Sequence, residues 1–246
     1  LRTAASDTPS DFKTESNGPK HMSRKRVAVL ISGRGSNMQA LVEAARAEDY
    51  AAEIVGVISN RPNAAGLSWA ADRGIQTIAL DYKAFPSREA FDAELHKALA
   101  SIQPEIIACA GFMRRMTSAL VNAWAGRMIN IHPSLLPMFK GLNTHQRAID
   151  AGVRIAGCTV HLVSEEVDGG PILGQAAVPV KTTDTADLLS ERILAVEHQL
   201  YPKVLHLFAS AQIKVTERGT VTFEADIEDN FRISSQFNAL IVPSTG

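Results

Sequence analysis

Three side chains have the types that acyl transfer to an amine requires: the amide of Asn130, the imidazole of His132 and the carboxylate of Asp168. An amide donates to an oxyanion as it develops, an imidazole carries a proton near neutral pH, and a carboxylate beside it favours its charged form. That chemistry needs no Ser or Cys nucleophile. Asn130 and His132 are two residues apart, a spacing that turns both side chains to one face of an extended strand. They open the run Asn130-Ile131-His132-Pro133-Ser134-Leu135-Leu136-Pro137, whose prolines restrict the backbone, so His132 begins a stiff, non-helical connection. Asp168 lies in Asp168-Gly169-Gly170-Pro171, which alone is ordinary turn chemistry beside the charged Glu165 and Glu166. Paired with His132 it becomes an acid-base candidate.

A second candidate is the turn Ser32-Gly33-Arg34-Gly35-Ser36-Asn37. Two glycines let the backbone approach a ligand closely, and the amides at the following helix start offer an anion site. The plainer alternative is a tight turn with Asn37 as helix cap. The turn lacks the third glycine of the dinucleotide fingerprint and the lysine of a P-loop. His132, His145 and His161 form no HExxH, and Cys109 and Cys158 form no CxxC, so no metal is expected. His145 and His161 read as buttresses of a crevice. Met113, Met116, Arg114 and Arg115 fit either core and surface or a ligand wall, and Glu197 fits either a surface charge or a ligand contact.

These groups need elements to position them. Apolar runs at residues 27–31, 54–58, 75–80, 106–110 and 128–131 read as buried parallel strands, and amphipathic stretches at 38–47, 65–73, 88–100 and 118–123 read as the helices between them. Alternation over 157–163, and the apolar run 176–180, predict two more strands bracketing Asp168. Residues 185–208 predict a long amphipathic helix bent near Pro202. The pattern implies an α/β fold, a Rossmann-like open, mostly parallel twisted sheet with helices on both faces. Its loops at the strand C-termini face one crevice, and the motifs fall in those loops.

Composition narrows the partners. With 25 Lys plus Arg against 26 Asp plus Glu, a net charge of -1, no overall field draws the chain to nucleic acid or an anionic membrane, and small-molecule substrates are expected. The cysteines sit in apolar runs, as suits a reducing cytoplasm. No stretch approaches the roughly 18 apolar residues of a membrane span, and the first twenty residues are polar. Residues 1–22 read as a disordered arm or expression remnant, 23–210 as one domain, and 211–246 as a hairpin and tail packed on it. A monomer or homodimer is expected.

Taken together, Gly33-Arg34-Gly35-Ser36-Asn37, Gly111-Phe112-Met113-Arg114, Asn130 to Pro137, Asp168-Gly169-Gly170-Pro171 and Glu197-His198 resemble the phosphoribosylglycinamide formyltransferases of purine synthesis, within the folate-dependent formyltransferase family. The resemblance implies the formyltransferase fold, and transfer of a formyl group from the co-substrate 10-formyltetrahydrofolate to the primary amine of glycinamide ribonucleotide (GAR), with no metal. It makes Asn130, His132 and Asp168 the catalytic trio. It assigns Gly35, Ser36 and Asn37 to the phosphate and Glu197 to the ribose. It places Arg88, Met113, Arg114, Met116, Val121 and Val163 against the folate, with the backbone of the Asp168 loop reading the pterin. Asn143, where some members carry His, and Arg115, where an aliphatic residue is common, depart from the pattern.

Relatives in chemistry differ in their acceptor. A tRNA formyltransferase needs an RNA-binding extension, yet residues 211–246 hold Lys214, Arg218 and Arg232 against Glu217, Glu224, Asp226, Glu228 and Asp229. A formyltetrahydrofolate hydrolase carries an N-terminal regulatory domain, and 26 residues precede the first predicted strand. A sugar-nucleotide formyltransferase shares the trio. A non-catalytic nucleotide-binding protein would suit the first βα unit but not its incomplete fingerprint.

Overall fold

A computed structural model describes residues 23–216, 219–224 and 240–242. In chain order the elements are β1 (Lys25–Ile31), α1 (Ser36–Ala44), β2 (Ala52–Ser59), α2 (Ala65–Ala71), β3 (Thr77–Ala79), a 3-10 turn (Tyr82–Ala84), α3 (Arg88–Ile102), β4 (Ile106–Cys109), α4 (Ser118–Ala123) and β5 (Met128–His132). They continue with α5 (Thr144–Asp150), β6 (Ile155–Leu162), β7 (Ile172–Pro179), α6 (Ala186–Ala209), β8 (Ile213–Val215), β9 (Val221–Phe223) and β10 (Leu240–Val242). The main sheet runs β10-β7-β6-β5-β4-β1-β2-β3. The five strands β1 to β5 pair in parallel, while β6, β7 and β10 add antiparallel to the β5 edge. The expected mostly parallel α/β sheet is what forms.

Alternation along the strands separates two cores. From β1, Val27, Val29 and Ile31 enter one cluster, which α6 covers with Leu189, Ile193, Leu200, Tyr201 and Val204. Ala28 and Leu30 enter the other, which α3 covers with Phe91, Leu95, Leu99 and Ile102. Each helix buries one stripe at helical spacing, so the sheet is sealed on both faces and its polar ends are left to do chemistry. Ser87, Thr117 and Thr185 cap α3, α4 and α6 by accepting from the amides of Ala90, Leu120 and Leu188.

Boundaries moved in informative places. The first helix begins at Ser36 rather than residue 38, because Gly35 takes φ 70 as its N-cap and turns the chain directly into the helix. β7 begins at Ile172 rather than residue 176, and Gly174 and Gln175, both weak strand formers, hide that start. The expected arm over residues 1–22 lies outside the described residues, as does most of the expected tail. Among the described residues no helix is long and apolar enough to cross a membrane.

Candidate active site

The end of β5 carries Asn130 and His132, and the antiparallel β6 sets His161 opposite Asn130 and Thr159 opposite His132. Asp168 reaches them from the loop between β6 and β7. That loop is stitched back on β6: Leu162 N–H donates to Pro171 O at 2.9 Å, and a Cβ on Gly170 would lie 1.9 Å from Leu162 O, so only glycine fits there. Asp168 itself adopts φ 51, a left-handed conformation that Asp tolerates better than most residues.

The trio predicted from sequence converges. His132 Nδ1 lies 3.4 Å from Asp168 Oδ2, and His161 Nε2 lies 3.7 Å from Asp168 Oδ1. Asn130 Nδ2 is 3.2 Å from His161 Nε2. His161 Nδ1 faces Leu162 O at 2.8 Å and so carries a proton, which leaves Nε2 free to accept from the Asn130 amide. Burial pushes the His161 imidazole below its usual range, against the opposing pull of Leu162 O and Asp168. That holds it neutral and suits it to accept. His132, 6% exposed, donates from Nε2 to Phe139 O at 3.1 Å. Gly141 N–H donates to Asp168 Oδ2 at 2.8 Å. Both ring nitrogens of His132 therefore face oxygen acceptors, and residues 139–141 hold the pair in place.

Beside this cluster, β4 and β5 pair through Cys109 and Asn130, and the chain leaving β4 lines an open cleft of about 290 Å³ with Ala110, Gly111 and Met113. Ser32, Gly33, Arg34, Gly35, Ser36, Asn37 and Arg61 complete its walls. Gly35, Ser36 and Asn37 thus share one cavity with Met113. No side chain caps the start of α1, so its first amides remain open to an anion. Asn37 Nδ2 donates to Glu197 Oε2 at 2.7 Å, which draws Glu197 to this turn from a position 160 residues away. Burial raises the Glu197 carboxyl to about 7, with the Asn37 hydrogen bond opposing.

The residues assigned to folate spread along the second core. The Arg114 guanidinium stacks 4.7 Å from the Tyr82 ring centre and 4.8 Å from that of Phe91. Met116 and Val163 pack partly buried against the same cluster. Val121 is buried in α4. Met113 exposes its side chain, and Arg88 stands half-exposed at the start of α3, 3.6 Å from Glu89.

Four contributors escaped the sequence reading. His161, taken as a buttress, sits between Asn130 and Asp168. The Phe139 carbonyl and the Gly141 amide bind the trio through backbone, which leaves no mark in residue type. Ser32 ties three strand ends together: its hydroxyl donates to Asn60 Oδ1 at 2.5 Å and accepts from Met113 N–H at 2.8 Å. Its neighbours Gly33 and Gly35 had drawn attention to that turn, but not its hydroxyl. Among the described residues no group of three or more His, Cys, Asp or Glu is arranged to hold a metal ion.

A family model described as formyl transferase matches residues 25–205. A trifunctional purine biosynthetic protein adenosine-3 from Bos taurus is 48% identical over 198 residues, 80% of this chain and 20% of that protein. The chain thus spans about a fifth of that relative's length. A phosphoribosylglycinamide formyltransferase from Escherichia coli (strain K12) is 43% identical over 191 residues, 78% of this chain and 90% of that protein. The crystal structure of glycinamide ribonucleotide transformylase 1 from Symbiobacterium toebii superimposes with a TM-score of 0.79 at 40% identity, covering 85% of this chain and 98% of that one.

Proposed function

The chain belongs to the formyl transferase family, and from that premise we propose that it transfers the formyl group of 10-formyltetrahydrofolate to the primary amine of glycinamide ribonucleotide in purine synthesis. The observation that carries the reading is the meeting of Asn130, His132 and Asp168, drawn from β5 and the β6–β7 loop, beside an anion-ready turn. Residues 23–210 make the formyltransferase domain, and the β8–β9 hairpin follows it.

The neutral amine attacks the formyl carbon and pushes its carbonyl electrons onto oxygen. The Asn130 amide donates to that oxyanion with the N–H that His161 does not hold, already oriented by that contact, and His132 exchanges its Nε2–H contact with Phe139 O for the same oxygen. Collapse restores the carbonyl and breaks the bond to the folate nitrogen. The proton lost by the attacking nitrogen passes to the departing one, with His132 and Asp168 as the acid-base pair. The nucleotide end lies in the cleft of Gly35, Ser36 and Asn37 with Glu197 toward its ribose. The folate lies along Arg88, Met113, Arg114, Met116, Val121 and Val163, a set of apolar side chains with two arginines as polar anchors, which suits a flat heterocycle.

The test is formyl transfer from 10-formyltetrahydrofolate to GAR, to a tRNA, to an amino-sugar nucleotide and to water, followed by release of tetrahydrofolate. Turnover with GAR, abolished in His132→Ala, is the expected result. Preference for another acceptor would overturn the substrate, and unchanged single-turnover rates in His132→Ala would overturn the mechanism.

A further inference from the structure

The chain between β5 and α5 holds a conformation that its own residues disfavour. Phe139, Gly141 and Asn143 adopt φ values of 55, 82 and 56, so left-handed backbone recurs at alternate positions of one short stretch. Glycine takes that conformation freely, but a phenylalanine persists in it only where its surroundings fix it. Burial fixes only the first of these residues: Phe139 packs partly buried against the core that α6 covers, while Leu142 is 72% exposed. Yet this stretch supplies both backbone contacts on the trio, Phe139 O to His132 Nε2 at 3.1 Å and Gly141 N–H to Asp168 Oδ2 at 2.8 Å.

One side chain ties the stretch down. Arg147, one turn into α5, donates from Nη1 to Lys140 O at 2.6 Å and to Leu142 O at 3.3 Å, the carbonyls that flank Gly141. Its guanidinium also lies 5.6 Å from the centre of the Phe139 ring. A charged donor on a carbonyl makes a stronger hydrogen bond than a neutral one, and a cation over a ring adds to it. The other tie is weaker by position. Lys140 Nζ meets Glu166 Oε1 at 2.7 Å, but the Glu166 side chain is 71% exposed, and solvent screens such a pair.

We propose that Arg147 is a positioning residue for the transfer chemistry, aiming Asp168 through the Lys140–Gly141 peptide group and His132 through Phe139. Lys140 O and Gly141 N–H belong to one peptide unit, so the guanidinium, that peptide, the Asp168 carboxylate and the His132 ring line up as one chain of polar contacts. A donor on the carbonyl side of a peptide polarises it and strengthens the hydrogen bond from its N–H. Arg147 itself touches none of the trio's side chains in this chain of contacts; it acts through backbone. The inference rests on the reading of His132 and Asp168 as the acid-base pair of formyl transfer.

Steady-state kinetics and NMR of the histidine-labelled full chain test it, the second without any substrate. Arg147→Met keeps an apolar stem at an exposed helical position and removes the charge and the donors. It should lower kcat by roughly 10- to 100-fold, the cost of a slight misplacement at a reacting group, with KM for GAR and for 10-formyltetrahydrofolate within about twofold. The His132 Nε2–H signal, held from solvent exchange by Phe139 O in the wild type, should broaden in the variant. Arg147→Lys keeps a charged donor and should recover most of both the rate and the signal. Glu166→Gln breaks only the exposed pair and should leave kcat within about twofold of wild type. A wild-type kcat in Arg147→Met, or a fall in kcat with the His132 signal unchanged, would overturn the proposal, as would an equal loss in Glu166→Gln. If the His132 signal responds to Arg147 while the wild type does not formylate GAR, the positioning role stands and the substrate reading falls.

Discussion

At the scale of single residues, the chemistry depends on which atoms are already committed. His132 has acceptors at both nitrogens, and the Asn130 amide has a partner in His161 that burial keeps neutral. The Asn130 amide is therefore oriented before any substrate arrives, with one N–H left to meet a developing charge without reorganising. Asn130→Ala is expected to lower kcat by roughly 100- to 1,000-fold with little change in KM, measured by single-turnover formyl transfer. Asp168→Asn preserves size and an oxygen for the Gly141 amide but removes the charge beside His132. It should cost about 100- to 10,000-fold in kcat, the ordinary range for acid-base assistance. A near-normal rate in this variant would return Asp168 to the role of turn residue.

At the scale of elements, the trio is accurate because the loop carrying Asp168 is pinned to β6. Gly170 is the pin, since any side chain there collides with Leu162 O. Gly170→Ala should lower stability by about 2 to 4 kcal/mol in urea denaturation and depress kcat as Asp168 shifts, whereas an exposed loop glycine would cost well under half of that. Much of this architecture was legible beforehand. β1, β2, β4 and β5 announce themselves because strands inside the sheet, covered on both faces, must be largely apolar. Asn130 and His132 stand out as polar residues closing such a run. What stayed hidden was backbone work and pairing. The Phe139 carbonyl and the Gly141 amide are the same atoms in every residue. His161 gains its place from the antiparallel register of β6 on β5, a long-range fact that no local pattern encodes. The start of β7 was masked by Gly174 and Gln175, whose strand conformation is imposed by pairing with β6 rather than by propensity.

At the scale of the whole molecule, α6 is the strut that joins the crevice to the core. Its Tyr201 hydroxyl, fully buried, lies 3.0 Å from Cys109 O and 3.3 Å from Ile129 O, bridging the ends of β4 and β5 just before Asn130. Four residues earlier on the same helix, Glu197 holds Asn37 at the nucleotide turn. A carboxyl buried this deeply opposes folding whenever it is charged. Burial raises Glu197 from 4.5 to about 7, so the folded chain keeps this proton where the unfolded chain has released it. The favourable difference is complete below about pH 4.5 and is lost as pH rises toward 7, and above that the folded state bears the full penalty. Glu197→Gln keeps an oxygen to accept from Asn37 while removing the charge. Urea denaturation should find the variant more stable than wild type by up to about 3 kcal/mol at pH 8, with the gap closing toward pH 5. The same variant should bind GAR more weakly at pH 8, where the native carboxylate accepts more strongly from sugar hydroxyls than an amide can. A stability gap that did not vary with pH would mean that Glu197 is already charged at pH 5, and that the cost of burying it is met by neighbours other than Asn37.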